Sequence, residues 1–146
     1  MQRRVEYKSM KSRDTLVRLK RFQVEEKRRR VAQIEMMMAD FNRMAVDLDR
    51  EIASEEQKTG ISDPHHFAYS TYARAASQRR DNLRRSADDL TAQLDEAKAD
   101  LGEAFEELRK AESLEDRERA SEKATEALRD GVMSGQSGAR ALRAAI

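Results

Sequence analysis

Apolar residues recur at alternating steps of three and four along most of this chain. The first run is Val17, Val24, Val31, Ile34, Met38, Phe41, Ala45, Leu48 and Ile52, broken only by Lys20 and Lys27. The second is Tyr69, Ala73, Ala76, Leu83, Ala87, Leu90, Leu94, Ala97, Leu101, Ala104, Leu108 and Ala111, broken only by Arg80. Alternating threes and fours average about 3.5 residues per repeat, which keeps one apolar seam facing a partner helix. The only strong stop between the runs is Gln57-Lys58-Thr59-Gly60-Ile61-Ser62-Asp63-Pro64. The pattern predicts an all-α fold: a long antiparallel two-helix coiled-coil hairpin without a globular core or a pocket.

Local signals bound these elements. Ser12 or Asp14 is placed to cap the first helix, accepting hydrogen bonds from its free N–H groups. That helix is expected to run to about Lys58, with Gly60 supplying the left-handed conformation of a helix C-terminus. Asp63 then reads as the cap of the second helix and Pro64 as its first residue, where a missing N–H costs nothing. The second helix is expected to reach about Asp130, so the hairpin covers residues 12–130 with its turn at about 58–64. This register sets Val17 near Ala104, Val31 near Leu90, Phe41 near Arg80 and Leu48 near Ala73. At about 1.5 Å rise per residue the paired region is expected to be about 60–70 Å long. It uses up the first helix near residue 111. Residues 112–130, with their decaying seam of Leu114, Ala120, Ala124, Ala127 and Leu128, are then an overhang. Gly131, Gly135 and Gly138 are expected to break the helix and leave residues 131–146 as a flexible tail that folds on a partner. Residues 1–11 read as a basic, frayed N-terminus, and Met10-Lys11-Ser12-Arg13 as a natural start preceded by an extension.

Charge adds orientation. Residues 1–30 carry a net +8, residues 31–64 −5, residues 65–85 +4 and residues 86–130 −8. Folding at Gly60–Pro64 lays the first block beside the last and the two middle blocks together. A parallel homodimer would stack like on like. Flanking charges choose partner and orientation more than they add stability, because an exposed pair is worth only about 0–1 kcal/mol.

Composition narrows the chemistry. With 39% charged and 5% aromatic residues, no Trp and one Pro, the chain can bury a narrow stripe but not a large three-dimensional core. No apolar run approaches the ~18 residues of a membrane span, and no signal-peptide h-region is visible. Absence of cysteine removes disulfide and thiolate chemistry and fits a reducing cytoplasm. The five glycines form no phosphate-binding loop. His65 and His66, neighbours about 100° apart on a helix, have no Cys and no i,i+4 histidine to complete a metal site. No cofactor, metal or catalytic residue is expected, so the chain reads as a non-enzyme.

The remaining candidates are contact residues. Lys27-Arg28-Arg29-Arg30 could hold nucleic acid, but the block also matches the acidic second half across the hairpin, and no aromatic side chain stands there to stack on bases. The expectation is no nucleic acid. Met36, Met37 and Met38 with Phe41 and Met44 are wider than one seam needs, and read either as packing or as an adaptable partner surface. Tyr69 and Tyr72 lie three apart at the start of the second run. If Tyr69 fills the seam, Tyr72 stands partly exposed beside it, as a contact hot spot or as a packing anchor.

With those residues in view, the chain resembles the FliJ-type flagellar export proteins of bacteria over roughly residues 10–130. The opening Met10-Lys11-Ser12-Arg13-Asp14-Thr15-Leu16-Val17-Arg18-Leu19-Lys20, followed by Phe22-Gln23-Val24-Glu25-Glu26, is similar to the family's Leu-x-x-Leu entry into a long charged helix. A short loop and a second helix opening with Tyr69-Ser70-Thr71-Tyr72 fit its middle. The resemblance implies a cytoplasmic protein peripherally associated with the inner face of the cell membrane at the flagellar base. It implies a stalk in the central hole of the hexameric export ATPase, linked to the cytosolic domain of the membrane export gate and to export chaperones. Tyr69, Tyr72 and Ala76 would match the gate-contacting patch, with Ala76 small where the pattern favours a bulkier residue. The paired termini of the two helices, with the overhang, would enter the ATPase; Leu16, Leu19 and Arg28, Arg29 and Arg30 are further partner-contact candidates. The equivalent stalk of a virulence-type injectisome, a generic coiled-coil scaffold without an export role, and an anionic-surface binder remain the other readings.

Overall fold

A computed structural model describes the backbone of residues 2–144 and the side chains of residues 13–132. It contains two helices, α1 (Gln2–Thr59) and α2 (Thr71–Ala144), and no strand among the described residues. The chain is all-α, a helical hairpin. Its contacts divide between two units, Val24–Ala104 and the pairing of Met1–Gln23 with Phe105–Ile146.

In the first unit the seam is unequal in size. α1 contributes the bulky Val24, Ile34 and Ile52 with Ala45, whereas α2 buries Ala73, Ala76, Ala87, Leu90, Ala97 and Ala104. Alanine opposite a branched side chain lets two backbones approach closely while each branched knob still fills its hole. Two clusters result. Ile52 packs with Tyr69, Ala73 and Ala76, flanked by Leu48 and Ile61. Ile34, the largest fully buried side chain, packs with Leu90 and Ala97, flanked by Val31, Met38, Phe41 and Leu94. Arg80, the one charge in the second heptad run, turns its guanidinium onto Asp49 across the seam at 3.0 Å, and Arg84 joins the same carboxylate at 2.5 Å. The hydrogen bond from Arg80 to Asp49 is the largest influence holding the guanidinium pKa above its ordinary value.

The second unit pairs by the same logic. Val17 and Ala111 are buried. Lys20, a cation in the first heptad run, reaches Glu107 at 2.8 Å, and Arg21 lies 3.6 Å from Glu112. Arg13 pairs with Glu118. The basic start of α1 therefore meets the acidic part of α2, and in each unit later residues of one helix meet earlier residues of the other.

Four expectations change. At Arg80 the register slides by about one heptad, since Arg80 meets Asp49 and not Phe41, while Val31 still packs on the cluster of Leu90 and Leu48 on that of Ala73. The cause is the loop: α2 starts at Thr71, not at Asp63, so more chain is spent between the helices. The overhang shortens, because Glu112 and Glu118 have partners on α1, and Arg119 reaches Asp14 at 4.0 Å. Neither Ser12 nor Asp14 caps α1, which is already helical at Gln2. Nor does α2 stop at Asp130: it continues through Gly131, Gly135 and Gly138 to Ala144, although each helical glycine costs about 1 kcal/mol relative to alanine. The frayed start expected at residues 1–11 and the flexible tail expected at 131–146 fall almost wholly on residues whose side chains lie outside the described ones. No helix among the described residues is long and apolar enough to cross a membrane.

Candidate functional site

The most distinctive local chemistry lies at the loop, residues 60–70, and the first turns of α2. α1 ends as its sequence dictates. Gly60 takes a φ of 72° and donates its N–H to the Glu56 carbonyl at 2.9 Å, and the Ile61 N–H finds the Thr59 hydroxyl at 3.4 Å. Asp63 and Pro64 then open a turn instead of a helix. The Asp63 carboxylate accepts the His65 N–H at 2.9 Å, and its carbonyl accepts the His66 N–H at 3.1 Å. Asp at the first and Pro at the second position of a β-turn satisfy that geometry as well as they would a helix start. The next turn runs from the His66 carbonyl to the Tyr69 N–H at 3.1 Å, while His66 Nδ1 accepts the Ala68 N–H at 3.0 Å. Ser70 is the true helix cap, its hydroxyl accepting the Ala73 N–H at 3.2 Å and donating to Glu55 at 3.1 Å.

Tyr69 faces inward. Its ring is buried against Ile52, Ala73 and Ala76, and its hydroxyl donates to Glu56 at 2.7 Å. That bond, aided by burial and the Glu56 charge, raises the phenol pKa. The Arg74 guanidinium sits 5.9 Å from the centre of the same ring and donates to the Pro64 carbonyl at 3.2 Å, tying the loop to α2. Tyr72 faces outward, 57% exposed, with its hydroxyl donating to Glu51 at 2.9 Å. The Glu51 hydrogen bond and charge raise its pKa too. Tyr72 lines an open cleft of about 480 Å³ with Arg50, Glu51, Ser54, Glu55 and Lys58. Its rim mixes two cations, two carboxylates and one aromatic face, which suits a polar protein surface better than a small apolar ligand.

The contact residues expected from sequence therefore separate. Tyr69 and Ala76 pack inside the hairpin and Tyr72 alone of the three presents surface. Arg28, Arg29 and Arg30 are exposed on α1, with Arg28 3.4 Å from Glu25 and Arg30 donating to Gln33 at 3.4 Å. Leu16 and Leu19 are exposed together with Phe22, all three on the N-terminal part of α1. The methionines divide as well: Met38 packs beside Ile34, while Met36, Met37 and Met44 stand on the surface. Sequence reasoning missed Phe67, which projects from the loop 96% exposed with the His66 ring stacked on it at 4.7 Å. Taking Asp63-Pro64 as a turn opening would have left this phenylalanine in a loop and singled it out.

Among the described residues, no group of three or more His, Cys, Asp or Glu side chains is placed to hold a metal ion. No protein-family model, no curated protein and no solved structure matches the chain.

Proposed function

We propose that this chain is a non-enzymatic stalk and adaptor of the bacterial flagellar type III export apparatus. In this reading it works in the cytoplasm, at the inner face of the membrane. It threads the hexameric export ATPase and links it to the cytosolic domain of the export gate and to export chaperones. One structural observation supports the mechanical part of the reading: two of the cations that interrupt the seam, Lys20 and Arg80, each reach a carboxylate of the opposite helix within the same chain. A stalk made of one chain needs such intrachain pairing. The resemblance of the Met10–Lys20 opening and of Tyr69–Tyr72 to the FliJ-type pattern supplies the rest.

The mechanism follows from the surfaces. The exposed Arg29 and Arg30 would meet acidic groups of the ATPase ring, and Tyr72 with its mixed-charge cleft would meet the gate. Purified full-length chain added to the purified export ATPase is expected to co-sediment with it and raise its turnover. Arg29→Glu with Arg30→Glu should weaken both effects while leaving the melting temperature unchanged. A wild-type chain that neither binds nor stimulates the ATPase would refute the proposal.

A further inference from the structure

We propose that the pairing of residues 13–21 with residues 107–119 is an ionic clasp: added salt parts these two arms while the unit Val24–Ala104 keeps its own helices together. The heptad steps show where the seam goes. Carried past Ala111, the steps of four and three fall on Glu115 and Glu118; carried back from Val17, a step of four falls on Arg13. All three are half-buried, whereas every described residue from Arg119 to Val132 is exposed. The seam therefore reaches Glu118 and ends there as a charged one. Four of its seven positions in the arms, Arg13, Lys20, Glu115 and Glu118, carry charge, and Val17, Leu108 and Ala111 are the apolar share. In Val24–Ala104 the charges on the heptad runs are Lys27 and Arg80, against apolar clusters around Ile34 and Ile52.

Charge thus does in the arms what apolar burial does elsewhere. Lys20 meets Glu107 at 2.8 Å, Arg21 lies 3.6 Å from Glu112, Arg13 pairs with Glu118, and Arg119 reaches Asp14 at 4.0 Å. One contact opposes these four. The Glu115 side chain, 16% exposed, takes Arg119 of its own helix at 2.6 Å, but Asp14 of α1 approaches it closely enough to raise its pKa. Attractions between the arms outnumber the repulsion, so screening weakens the closure. The Debye length falls from about 10 Å at 0.1 M salt to about 3 Å at 1 M, while apolar burial is not screened. Opening is then local, drawn from the least apolar part of the pairing. This inference goes beyond the export reading and does not rest on it.

The chain has no cysteine, so a pair of nitroxide labels can be placed uniquely. Leu19→Cys with Ser113→Cys labels the two arms, and Asn42→Cys with Thr91→Cys labels the two helices of Val24–Ala104; all four positions are exposed. Pulsed EPR then gives the distance distribution of each pair in the full-length chain at 0.1 M and 1 M sodium chloride (about 0.1 M and 1 M bracket the change in screening). The arm pair should gain a long-distance population, its open-to-closed ratio rising about tenfold, the combined effect of screening several individually weak pairs. The second pair should keep one distance. Arg13→Glu should part the arms already at the lower salt, and adding Glu118→Arg should close them again. Glu115→Leu with Glu118→Leu, which extends the apolar seam, should hold the arms together at both salts. An arm pair unchanged at the higher salt would overturn the clasp, as would an Arg13→Glu chain that stays closed or that Glu118→Arg does not rescue. Both label pairs parting together would overturn it too, since the hairpin would then open as a whole.

Discussion

Ile34→Ala tests the seam where it is deepest. Ile34 is 1% exposed and sits among Leu90, Ala97, Val31, Met38, Phe41 and Leu94. The substitution removes three buried carbons, worth about 0.8 kcal/mol each by transfer, or about 2.4 kcal/mol together. A cavity adds to this, but two helices can close on a small void more easily than a globular core can. The expected loss is therefore about 2.5–3.5 kcal/mol, in the lower part of the range for such truncations. Val46→Ala, at a position 46% exposed on α1, is the reference and should cost less than about 0.5 kcal/mol. Urea unfolding followed by circular dichroism at several protein concentrations measures both. With an m-value of about 1–1.5 kcal/mol/M for a chain of this size, Ile34→Ala should move the midpoint by about 2 M. Concentration independence is part of the prediction, since the seam is closed within one chain. Equal losses for Ile34→Ala and Val46→Ala would refute the reasoning, and so would a midpoint that rises with concentration.

The glycines should respond with opposite signs. Gly60→Ala forces a side chain into a φ of 72° and should cost about 1 kcal/mol or more, whereas Gly102→Ala, in mid-helix with open space around the new methyl, should gain about 0.5–1 kcal/mol by the same urea assay. Two carboxylates should also respond oppositely to pH. Lys20 lowers the Glu107 pKa, so the stability Glu107 contributes is present above its unfolded value and lost as pH falls through the folded one. Asp14 and burial raise the Glu115 pKa, so its contribution is greatest below the unfolded value and disappears as pH rises through the folded one. Melting from pH 7 to pH 3 should show Glu107→Gln flattening the acid loss and Glu115→Gln steepening it; identical profiles would contradict the assignment.

How much of this was readable in advance depends on what periodicity can carry. Apart from Lys27, each residue placed on the two heptad runs is buried or half-buried, including the cations Lys20 and Arg80. The register was not readable from that pattern, and the reason is physical. Sliding one helix by seven residues returns every a and d position to the seam, so apolar spacing is blind to slips of a whole heptad. Loop length sets the register, and it turned on Asp63-Pro64, whose chemistry suits a helix start and a turn opening alike. The reading that placed a helix start there also hid Phe67 inside a helix. What breaks the heptad degeneracy is the pair of charges that the apolar pattern treated as defects. In the slipped register Arg80 would face Phe41; in the observed one it meets Asp49, and Lys20 meets Glu107. Neither pair adds much stability at the surface, yet each favours the register that sets its carboxylate opposite. The interruptions in the heptads, more than the heptads themselves, determine which residues of the two helices meet.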